Sequence, residues 1–293
     1  MGGNTHKLAL GCAQFGLNYG VANKNGKVSP AVSRQMLNLS LTNNIQMLDT
    51  AISYGDSEAC LGDIGVRGFK LVTKLPRLPV ECDDIRGWIS NEVKASLSRL
   101  KVSCIYGLLL HHPRDLLTSS GMDLYKELLH LKDSGCVEKI GISIYAPNEM
   151  AAILPKFNLD IVQAPFNLMD QRLYKSGWLN RLKDLGVEVH ARSAFLQGLL
   201  LMDRGHIPSK FSPWDNLWHA WHEWLLARSI APLQACLSFP LSFPEIDRVL
   251  VGADNVSQLT EIISVSNDQI PTDWPKIQCD DERLINPANW NEL

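Results

Sequence analysis

Short apolar runs recur along the whole chain and alternate with segments of helical spacing, and this alternation restricts the possible folds more than any other feature. The runs are apolar at most consecutive positions, as in strands that are buried on both faces of a parallel sheet. They cover residues 8–15, 45–51, 69–74, 104–112, 137–145, 159–166, 187–193 and 246–254. Between them, segments such as 33–44 and 84–100 place apolar residues three and four positions apart, which is typical of a helix with one buried face.

Eight strand-and-helix units predict an α/β fold of the (β/α)8 or TIM-barrel type, formed as a single domain over residues 1–293. An open doubly wound sheet is the alternative. The turn GCAQFGLNYG after the first run lacks the G-x-G-x-x-G pattern that opens the usual dinucleotide site of such sheets. We expect the barrel core at about 7–265 and a tail at 268–293 that wraps over one barrel end.

A long connection between the seventh and eighth runs, residues 194–245, departs from the regular spacing. Loops of this length are uncommon in compact domains and often cover or bind a ligand. Its Trp-rich part is expected to form an outer helix against the barrel through Trp218, Trp221 and Leu225. The alternative is that Trp214 and Trp218 close over a substrate.

Composition and charge exclude several classes of function. With 45% hydrophobic residues and a net charge of -3, the chain is an ordinary globular protein without a basic surface for nucleic acid or an anionic membrane. No apolar run approaches the roughly 20 residues that span a bilayer, and the start MGGNTHK lacks a secretory signal, which predicts a cytoplasmic location. Seven scattered cysteines without a C-x-x-C pair predict reduced thiols and no structural zinc site.

Polar residues follow the predicted strands at the end where a barrel holds its active site. Asp49, Lys74 and His111 lie near the ends of the second, third and fourth runs, and Tyr54 follows in the turn SYGDSE. A lysine ammonium beside a phenol favours the phenolate and lowers the pKa of the phenol, so Tyr54 could donate a proton. Asp49 would pair with Lys74, and His111 would orient a substrate oxygen. The set suits protonation of a carbonyl oxygen while hydride reaches the carbonyl carbon.

Separated strings of the sequence carry a resemblance to a known family. The strings LDTAISYGDSEACLG at 48–62, VTK at 72–74 and LLLHHP at 108–113 resemble the aldo-keto reductases, and the resemblance extends over about residues 7–265. It implies a catalytic tetrad around a nicotinamide cofactor that consists of Asp49, Tyr54, Lys74 and His111. His111 is assigned to the tetrad instead of His112, because one residue separates the family's histidine from a proline.

The resemblance also implies where a nicotinamide dinucleotide binds. Ser143 and Gln163 match residues that hold the nicotinamide amide, and Arg192 stands where the family has a stacking aromatic side chain. A planar guanidinium can stack in the same way, and the alternative for Arg192 is an ion pair with Asp170 or Glu188. The implied phosphate- and adenosine-binding residues are Ser193, Phe195, Gln197, Gly198, Gly252, Asn255 and Gln258.

The cofactor that the resemblance implies is NADPH, and NADH is the alternative. Gln258 stands where many members carry an arginine beside the adenosine 2'-phosphate, and Gly252 stands where many carry a lysine. Asp254 adds a negative charge close to both positions in the sequence. NADH is the alternative because Gln258 and Gly252 do not supply the positive charges that would bind the 2'-phosphate of NADPH.

These observations predict an NAD(P)H-dependent oxidoreductase that reduces a small-molecule aldehyde or ketone to an alcohol. The stretches LGCAQFGLNYGVANKNG and ARSAFLQGLLL resemble bacterial reductases linked with surface-sugar metabolism, which implies a keto sugar or a small aldehyde. Tyr19, His112 and Trp214 are candidate substrate contacts, with packing as the alternative for each. The competing functions are a cofactor-binding regulatory or partner subunit on the same fold, and a metal-dependent hydrolase or isomerase, for which the sequence offers no ligand set. No motif in the sequence indicates an oligomeric state.

Overall fold

Eight parallel strands close into a barrel in which each strand pairs with the next and the last pairs with the first. The strands are Leu8–Gly11 (β1), Met47–Asp49 (β2), Lys70–Leu75 (β3), Ile105–Leu110 (β4), Val137–Ser143 (β5), Ile161–Pro165 (β6), Glu188–Arg192 (β7) and Arg248–Val251 (β8). The closed barrel confirms the predicted (β/α)8 fold, and the open doubly wound sheet is wrong.

The computed structural model describes residues 4–23, 26–271 and 273–293. Two of the remaining positions, Lys24 and Asn25, belong to the stretch at 10–26 that carries part of the substrate resemblance. Thr272 belongs to the predicted tail, and residues 1–3 belong to the start of the chain. Expectations that fall on these positions lie outside the described residues.

Helices connect the strands and cover the outside of the barrel. They are Pro30–Thr42 (α1), Ser57–Ile64 (α2), Ile85–Leu100 (α3), Gly121–Asp133 (α4), Asn148–Ile153 (α5), Arg172–Lys175 (α6), Trp178–Asp184 (α7), Asp215–Arg228 (α8), Pro232–Leu241 (α9), Val256–Val265 (α10) and Glu282–Ile285 (α11). The segment at 84–100 shows why such a helix begins where it does. The Asp84 side chain accepts a hydrogen bond from the Gly87 amide and thereby satisfies one of the unpaired donors of the first turn. No helix in the described part of the chain is long and apolar enough to cross a lipid bilayer.

The strands are shorter than the apolar runs because several runs leave the sheet before they end. The run at 8–15 leaves it at Gly11, since Ala13–Phe15 forms a turn of 3-10 helix. The run at 104–112 ends as a strand at Leu110, which places His111 just beyond the sheet. The last residues of these runs therefore lie in the loops that follow the carboxyl ends of the strands.

The barrel interior is apolar in its middle and polar at both ends. Lys139 and Glu188 pair near the amino ends of the strands, and Asp49 and Lys74 pair near the carboxyl ends. Outward-facing strand residues belong to the larger core beneath the helices, so both faces of the strands are buried. One apolar cluster within the barrel is formed by Ala9, Met47, Val72, Tyr106, Leu109, Ile161 and Leu250.

The long connection after β7 folds against the barrel, with α8 as the outer helix that its spacing predicts. The Trp218 and Trp221 side chains are buried, and their Nε1 atoms donate to backbone oxygens 3.0 and 3.1 Å away. The tail packs on the same segment, since the Trp290 ring lies 4.9 Å from the ring of Phe211, measured between centroids. The connection and the tail therefore form one outer layer.

Candidate active site

A large cavity opens at the carboxyl ends of the strands, where (β/α)8 barrels hold their active sites. Its volume of about 610 Å³ lies within the roughly 300–1,000 Å³ of ligand pockets. Its walls come from the ends of the strands, from the loops that follow β1, β2 and β7, and from the first turns of α9 and α10. Pro287 and Ala288 of the tail complete the lining.

Asp49 and Lys74 form a buried ion pair beneath this cavity. Lys74 Nζ lies 2.6 Å from Asp49 Oδ1 and also donates to the backbone oxygen of Thr50 at 2.8 Å. The exposed fractions of the two side chains are 1% for Lys74 and 6% for Asp49. Gln163 Nε2 donates to the second carboxylate oxygen at 2.7 Å. Removing charges from water is costly, and the bonds to Thr50 and Gln163 offset part of that cost.

Tyr54 lies above the ion pair in the tight turn between β2 and α2. Lys74 Nζ is 5.2 Å from the centroid of the Tyr54 ring. The first loop packs closely against this turn at Gly16. A Cβ at residue 16 would lie 1.9 Å from the backbone oxygen of Tyr54, so the close approach requires glycine. Tyr54 lines the cavity, and its hydroxyl has no hydrogen-bond partner within the described ranges. The phenol is thus held in place by the backbone, with its oxygen left for a ligand.

The expectation that Lys74 lowers the pKa of Tyr54 is wrong. Burial and the Asp49 carboxylate raise the pKa of Tyr54 above its usual value of 10, and the opposite effect of Arg192 is smaller. The positive charge of Lys74, which pairs with Asp49 at 2.6 Å, does not overcome these two effects. The phenol therefore stays protonated at neutral pH, which is the form that a proton donor needs.

His111 follows β4 and faces Tyr54. The two ring centroids are 5.8 Å apart in an edge-to-face arrangement. Burial and nearby positive charges, first of all Lys74, lower the pKa of His111 to about 3. The imidazole is therefore neutral at physiological pH. Ser53 Oγ lies 3.3 Å from His111 Nδ1, and when the hydroxyl donates this bond the ring proton sits on Nε2, where it can be offered to a ligand.

Ser143 and Gln163, the predicted amide ligands, meet at the adjacent ends of β5 and β6. Ser143 Oγ lies 3.4 Å from Gln163 Oε1, and both side chains line the cavity although they are nearly fully buried. Gln163 also bonds Asp49 through its nitrogen, so it joins the lining of the cavity to the buried ion pair. The two side chains offer donors and acceptors of the kind that a carboxamide requires.

Arg192 ends β7 and lines the cavity. Its guanidinium lies 4.7 Å from the centroid of the Tyr145 ring, and its Nη2 donates to the backbone oxygen of Ile144 at 2.9 Å. The alternative ion pairs of Arg192 are wrong, because Asp170 pairs with Arg172 and the carboxylate of Glu188 pairs with Lys139. One edge of the guanidinium is therefore fixed to the backbone of the mouth.

The backbone after β7 is strained where it borders the cavity. Ser193, Leu196 and Gln197 have φ angles of 62°, 47° and 53°, in a region that residues with a side chain rarely adopt. Gly198 follows with a φ of 89°, and a Cβ there would lie 2.6 Å from the Cβ of Ala22. Strain of this kind persists where the surrounding structure enforces it, which is typical of functional sites. The four predicted residues of this segment all line the cavity, namely Ser193, Phe195, Gln197 and Gly198.

The segment after β8 lines the cavity through Gly252, Asp254 and Gln258. The predicted residue Asn255 has a different place, because it caps α10 and its Oδ1 accepts from the Gln258 amide at 2.9 Å. The side chain of Gln258 folds back, and its Oε1 accepts from the Asp254 amide at 2.7 Å. Hydrogen bonds within this turn thus fix the loop and the start of the helix.

Of the three candidate substrate contacts, Tyr19 lines the cavity and the other two do not. His112 is exposed beyond the lining, although its ring centroid is 5.9 Å from that of His111. Trp214 is buried between the long connection and the tail, where the Arg283 guanidinium lies 5.6 Å from its ring centroid. The packing alternative therefore holds for Trp214, and Trp218 is likewise buried instead of covering a substrate.

Sequence reasoning missed several lining residues that come from loops. Gln14 packs against Gly252, Tyr145 lies under Arg192, and Leu233 lies in the long connection at the start of α9. A strand end is recognisable from hydrophobic patterning, whereas a loop residue that reaches the same cavity carries no periodic signal.

No group of three or more His, Cys, Asp or Glu side chains within residues 4–23, 26–271 and 273–293 is arranged to hold a metal ion. The seven cysteines are unbridged.

Comparisons with known proteins agree with this architecture. The model of the aldo/keto reductase family matches residues 7–276. A protein of Bacillus subtilis (strain 168) named uncharacterized oxidoreductase YqkF is 26% identical over 283 residues, which cover 89% of this chain and 87% of that protein. The holo form of aldo-keto reductase AKR11C1 from Bacillus halodurans has a TM-score of 0.72 at 21% identity, over 91% of this chain and 88% of that one. Its apo form gives a TM-score of 0.70 at 21% identity, over 91% and 87% of the two chains. At such identity these structures show the fold alone.

Proposed function

Because the chain belongs to the aldo/keto reductase family, we propose that it reduces an aldehyde or ketone to an alcohol with a reduced nicotinamide dinucleotide, NAD(P)H. The family and the oxidoreductase relative support oxidoreductase chemistry in general. The observation that carries the specific proposal is the buried Asp49–Lys74 pair beneath Tyr54, with His111 beside the phenol.

The residues around the cavity fit a dinucleotide. The Ser143 hydroxyl and the Gln163 amide match the donors and acceptors of a carboxamide. Gly198 lets the backbone after β7 pack closely against Ala22 of the first loop, so that both segments line the same cavity. When bound, the reduced nicotinamide supplies the hydride, while the protein supplies position and the proton.

Each predicted cofactor contact has a role in this proposal. Ser143, Gln163 and Arg192 would hold the nicotinamide end. Asn255 would act through the α10 cap that it forms. The residues that would hold the pyrophosphate and adenosine are Ser193, Phe195, Gln197, Gly198, Gly252 and Gln258.

Tyr54 acts as the general acid. Its raised pKa keeps the phenol protonated, the residue lines the cavity, and its hydroxyl has no partner in the described part of the chain. The phenol therefore donates its proton to the carbonyl oxygen as negative charge develops there. General acid catalysis of this kind contributes about 10²- to 10⁴-fold to a rate.

Lys74 and His111 support this proton transfer from two sides. Lys74 Nζ, fixed by Asp49, lies 5.2 Å from the Tyr54 ring and favours the phenolate as the proton leaves. His111 is neutral because burial lowers its pKa to about 3, and when Ser53 donates to its Nδ1 the Nε2–H can donate to the carbonyl oxygen and orient it. Both groups act most strongly when charge develops on the substrate oxygen.

The proposed substrate is a keto sugar or a small aldehyde, with Tyr19 as the candidate contact that reaches the cavity. The proposed location is the cytoplasm, where thiols such as the seven unbridged cysteines stay reduced. A neutral substrate of this size would be held by few polar contacts. Which carbonyl compound binds would therefore depend on the loops that border the mouth of the barrel.

A turnover screen of aldehydes, ketones and keto sugars with NADH and with NADPH tests the proposal. We expect at least one carbonyl class to consume cofactor and yield the alcohol. Binding of cofactor without turnover of any class would support a regulatory or partner subunit instead. If neither dinucleotide binds in a fluorescence titration, the proposed function is wrong.

A further inference from the structure

The cavity reaches across the mouth of the barrel from the catalytic groups to the start of α10. In an eight-stranded barrel β4 and β8 are diametrically opposite, and His111 follows β4 whereas Gly252 follows β8. A ligand whose reactive end lies at Tyr54 therefore extends over the mouth toward the wall after β8. We call that wall the α10 corner, and it consists of Gly252, Asp254, Gln258, Glu261 and Ile262.

The charges of the cavity are distributed unevenly. Asp254 and Glu261 place two carboxylates at the α10 corner. Among the described lining residues, Arg192 is the one lysine or arginine, and it is tied to the backbone of Ile144 at the end of β5. The far end of a long ligand therefore meets negative charge, without a basic side chain from the described residues to balance it.

Hydrogen bonds within the protein already use two backbone amides at the α10 corner. Gln258 Oε1 accepts from the Asp254 amide, and Asn255 Oδ1 accepts from the Gln258 amide. These two amide donors are therefore not available to an additional anion. Burial raises the pKa of the Asp254 carboxyl, because its surroundings disfavour negative charge.

NADPH and NADH differ at one position that this corner can distinguish. The 2'-phosphate of NADPH carries about two negative charges near neutral pH, since the second pKa of a phosphate monoester is about 6. NADH has a hydroxyl there, which can donate to a carboxylate, whereas a phosphate at that position is usually matched by an arginine. We propose that the α10 corner makes this protein select NADH over NADPH, with Asp254 as the discriminating residue. The inference rests on the proposed function, because it concerns the same cofactor.

Binding measured without a carbonyl substrate tests the inference independently of turnover. NADH and NADPH are titrated separately into the full chain by isothermal calorimetry at fixed, low ionic strength and pH 8. We expect the Kd of NADPH to exceed that of NADH by about tenfold or more, because like charges brought together are strongly unfavourable. The ratio should shrink as salt is added, since ions screen the repulsion.

Two variants locate the discrimination. Asp254→Asn removes the charge with little change of shape, and we expect the ratio of the NADPH Kd to the NADH Kd to fall by about three- to tenfold. Gln258→Arg adds a positive charge at the same corner and should lower the ratio by about tenfold. Thr260→Arg is the matched control, because Thr260 lies on the exposed side of α10 outside the lining, and the ratio should stay within about twofold.

The outcomes separate this inference from the proposed function. NADPH binding as tightly as NADH, or a ratio that Asp254→Asn leaves unchanged in a folded variant, would overturn the NADH preference while the proposed function stands. Failure of both dinucleotides to bind would overturn both.

Discussion

The two ends of the barrel interior each hold a tyrosine, a lysine and a carboxylate, and they arrange these groups differently. At the amino ends, the Tyr106 hydroxyl donates to Glu188 at 2.6 Å, and Lys139 Nζ donates to the same carboxylate at 2.8 Å. At the carboxyl ends, Asp49 and Lys74 pair with each other, and the Tyr54 hydroxyl is left without a partner among the described residues.

The difference shows how one set of side chains serves stability at one end and chemistry at the other. At the amino ends the Tyr106 hydroxyl already donates to the Glu188 carboxylate. This cluster therefore closes the end of the barrel, and its hydroxyl is not available to a ligand. The carboxyl-end phenol is kept protonated by burial and by Asp49, and it borders an open cavity. A hydrogen bond left unmade inside the protein is what makes Tyr54 available to a substrate.

The two tyrosines provide the sharpest test of this comparison. Tyr54→Phe should lower kcat by about 10²- to 10⁴-fold because the general acid is lost, while the free energy of unfolding changes little. Tyr106→Phe removes the same atom at the other end and should leave kcat within about twofold but lower the free energy of unfolding by about 1–3 kcal/mol. Steady-state kinetics and urea unfolding of both variants measure these effects. Equal losses of kcat in Tyr54→Phe and Tyr106→Phe would contradict the proposed difference between the two ends of the barrel.

The two carboxylates differ in the same way, with smaller effects on rate. Asp49→Asn leaves Lys74 as an uncompensated buried charge, so the free energy of unfolding should fall by about 3–5 kcal/mol and kcat should fall as well. Glu188→Gln should lower the free energy of unfolding by about 1–3 kcal/mol and leave kcat nearly unchanged. Urea unfolding and kinetics on matched samples compare them. A loss of kcat in Glu188→Gln that exceeds the loss in Asp49→Asn would reverse the assignment.

Gly16 tests whether the turn of Tyr54 is positioned by the backbone of the first loop. A Cβ at residue 16 would lie 1.9 Å from the Tyr54 backbone oxygen, so Gly16→Ala must shift the turn. We expect a loss of about tenfold or more in kcat, together with about 1–3 kcal/mol of stability. Gly205→Ala is the control, because a Cβ there meets no atom within 4 Å, and its kinetics and unfolding should match the unchanged protein.

The two ends should also respond to different ranges of pH. Hydrogen bonds from His190, Lys139 and Tyr106 outweigh burial and lower the pKa of Glu188 below its usual 4.5. The stability that this carboxylate contributes is therefore present above about pH 4.5 and is lost as pH falls below it. Unfolding free energy measured against pH should show this loss, and Glu188→Gln should flatten the profile between pH 5 and 3.

At the carboxyl end, pH should change the rate of alcohol oxidation more than the rate of carbonyl reduction. Because the pKa of His111 is lowered to about 3 and that of Tyr54 is raised, neither group titrates between pH 5 and 8. The kcat for carbonyl reduction should be nearly flat over that range, whereas alcohol oxidation, which needs the phenolate, should increase with pH. An inflection of the reduction rate near pH 6.5 that disappears in His111→Gln would show that the imidazole is charged in the active protein.

The fold was predictable because both faces of its strands are buried, so hydrophobic runs mark the strands directly in the sequence. The positions of Asp49, Lys74 and His111 were predictable for a related reason, since polar residues that end such runs meet at one mouth of the barrel. The cluster of Tyr106, Lys139 and Glu188 was missed, because these polar residues lie near the starts of the runs and resemble surface positions.

Properties that depend on three-dimensional neighbours were not predictable. The sign of the Tyr54 pKa shift depends on the burial of the phenol and on the nearby Asp49 carboxylate, which a sequence does not show. Trp214 packs against the tail because Arg283, far along the chain, lies over its ring. Likewise, only the folded barrel shows that Asp254 and Glu261 share one wall of the cavity.

Transfer of an isotope from cofactor to product tests the central claim most directly. The protein is incubated with an aromatic aldehyde and with NADH or NADPH that carries deuterium on both positions of nicotinamide carbon 4, and the alcohol is analysed by mass spectrometry. We predict one deuterium on the carbinol carbon, formed at least about 100-fold more slowly by Tyr54→Phe. An alcohol without deuterium, or the same rate of transfer in Tyr54→Phe, would contradict the account.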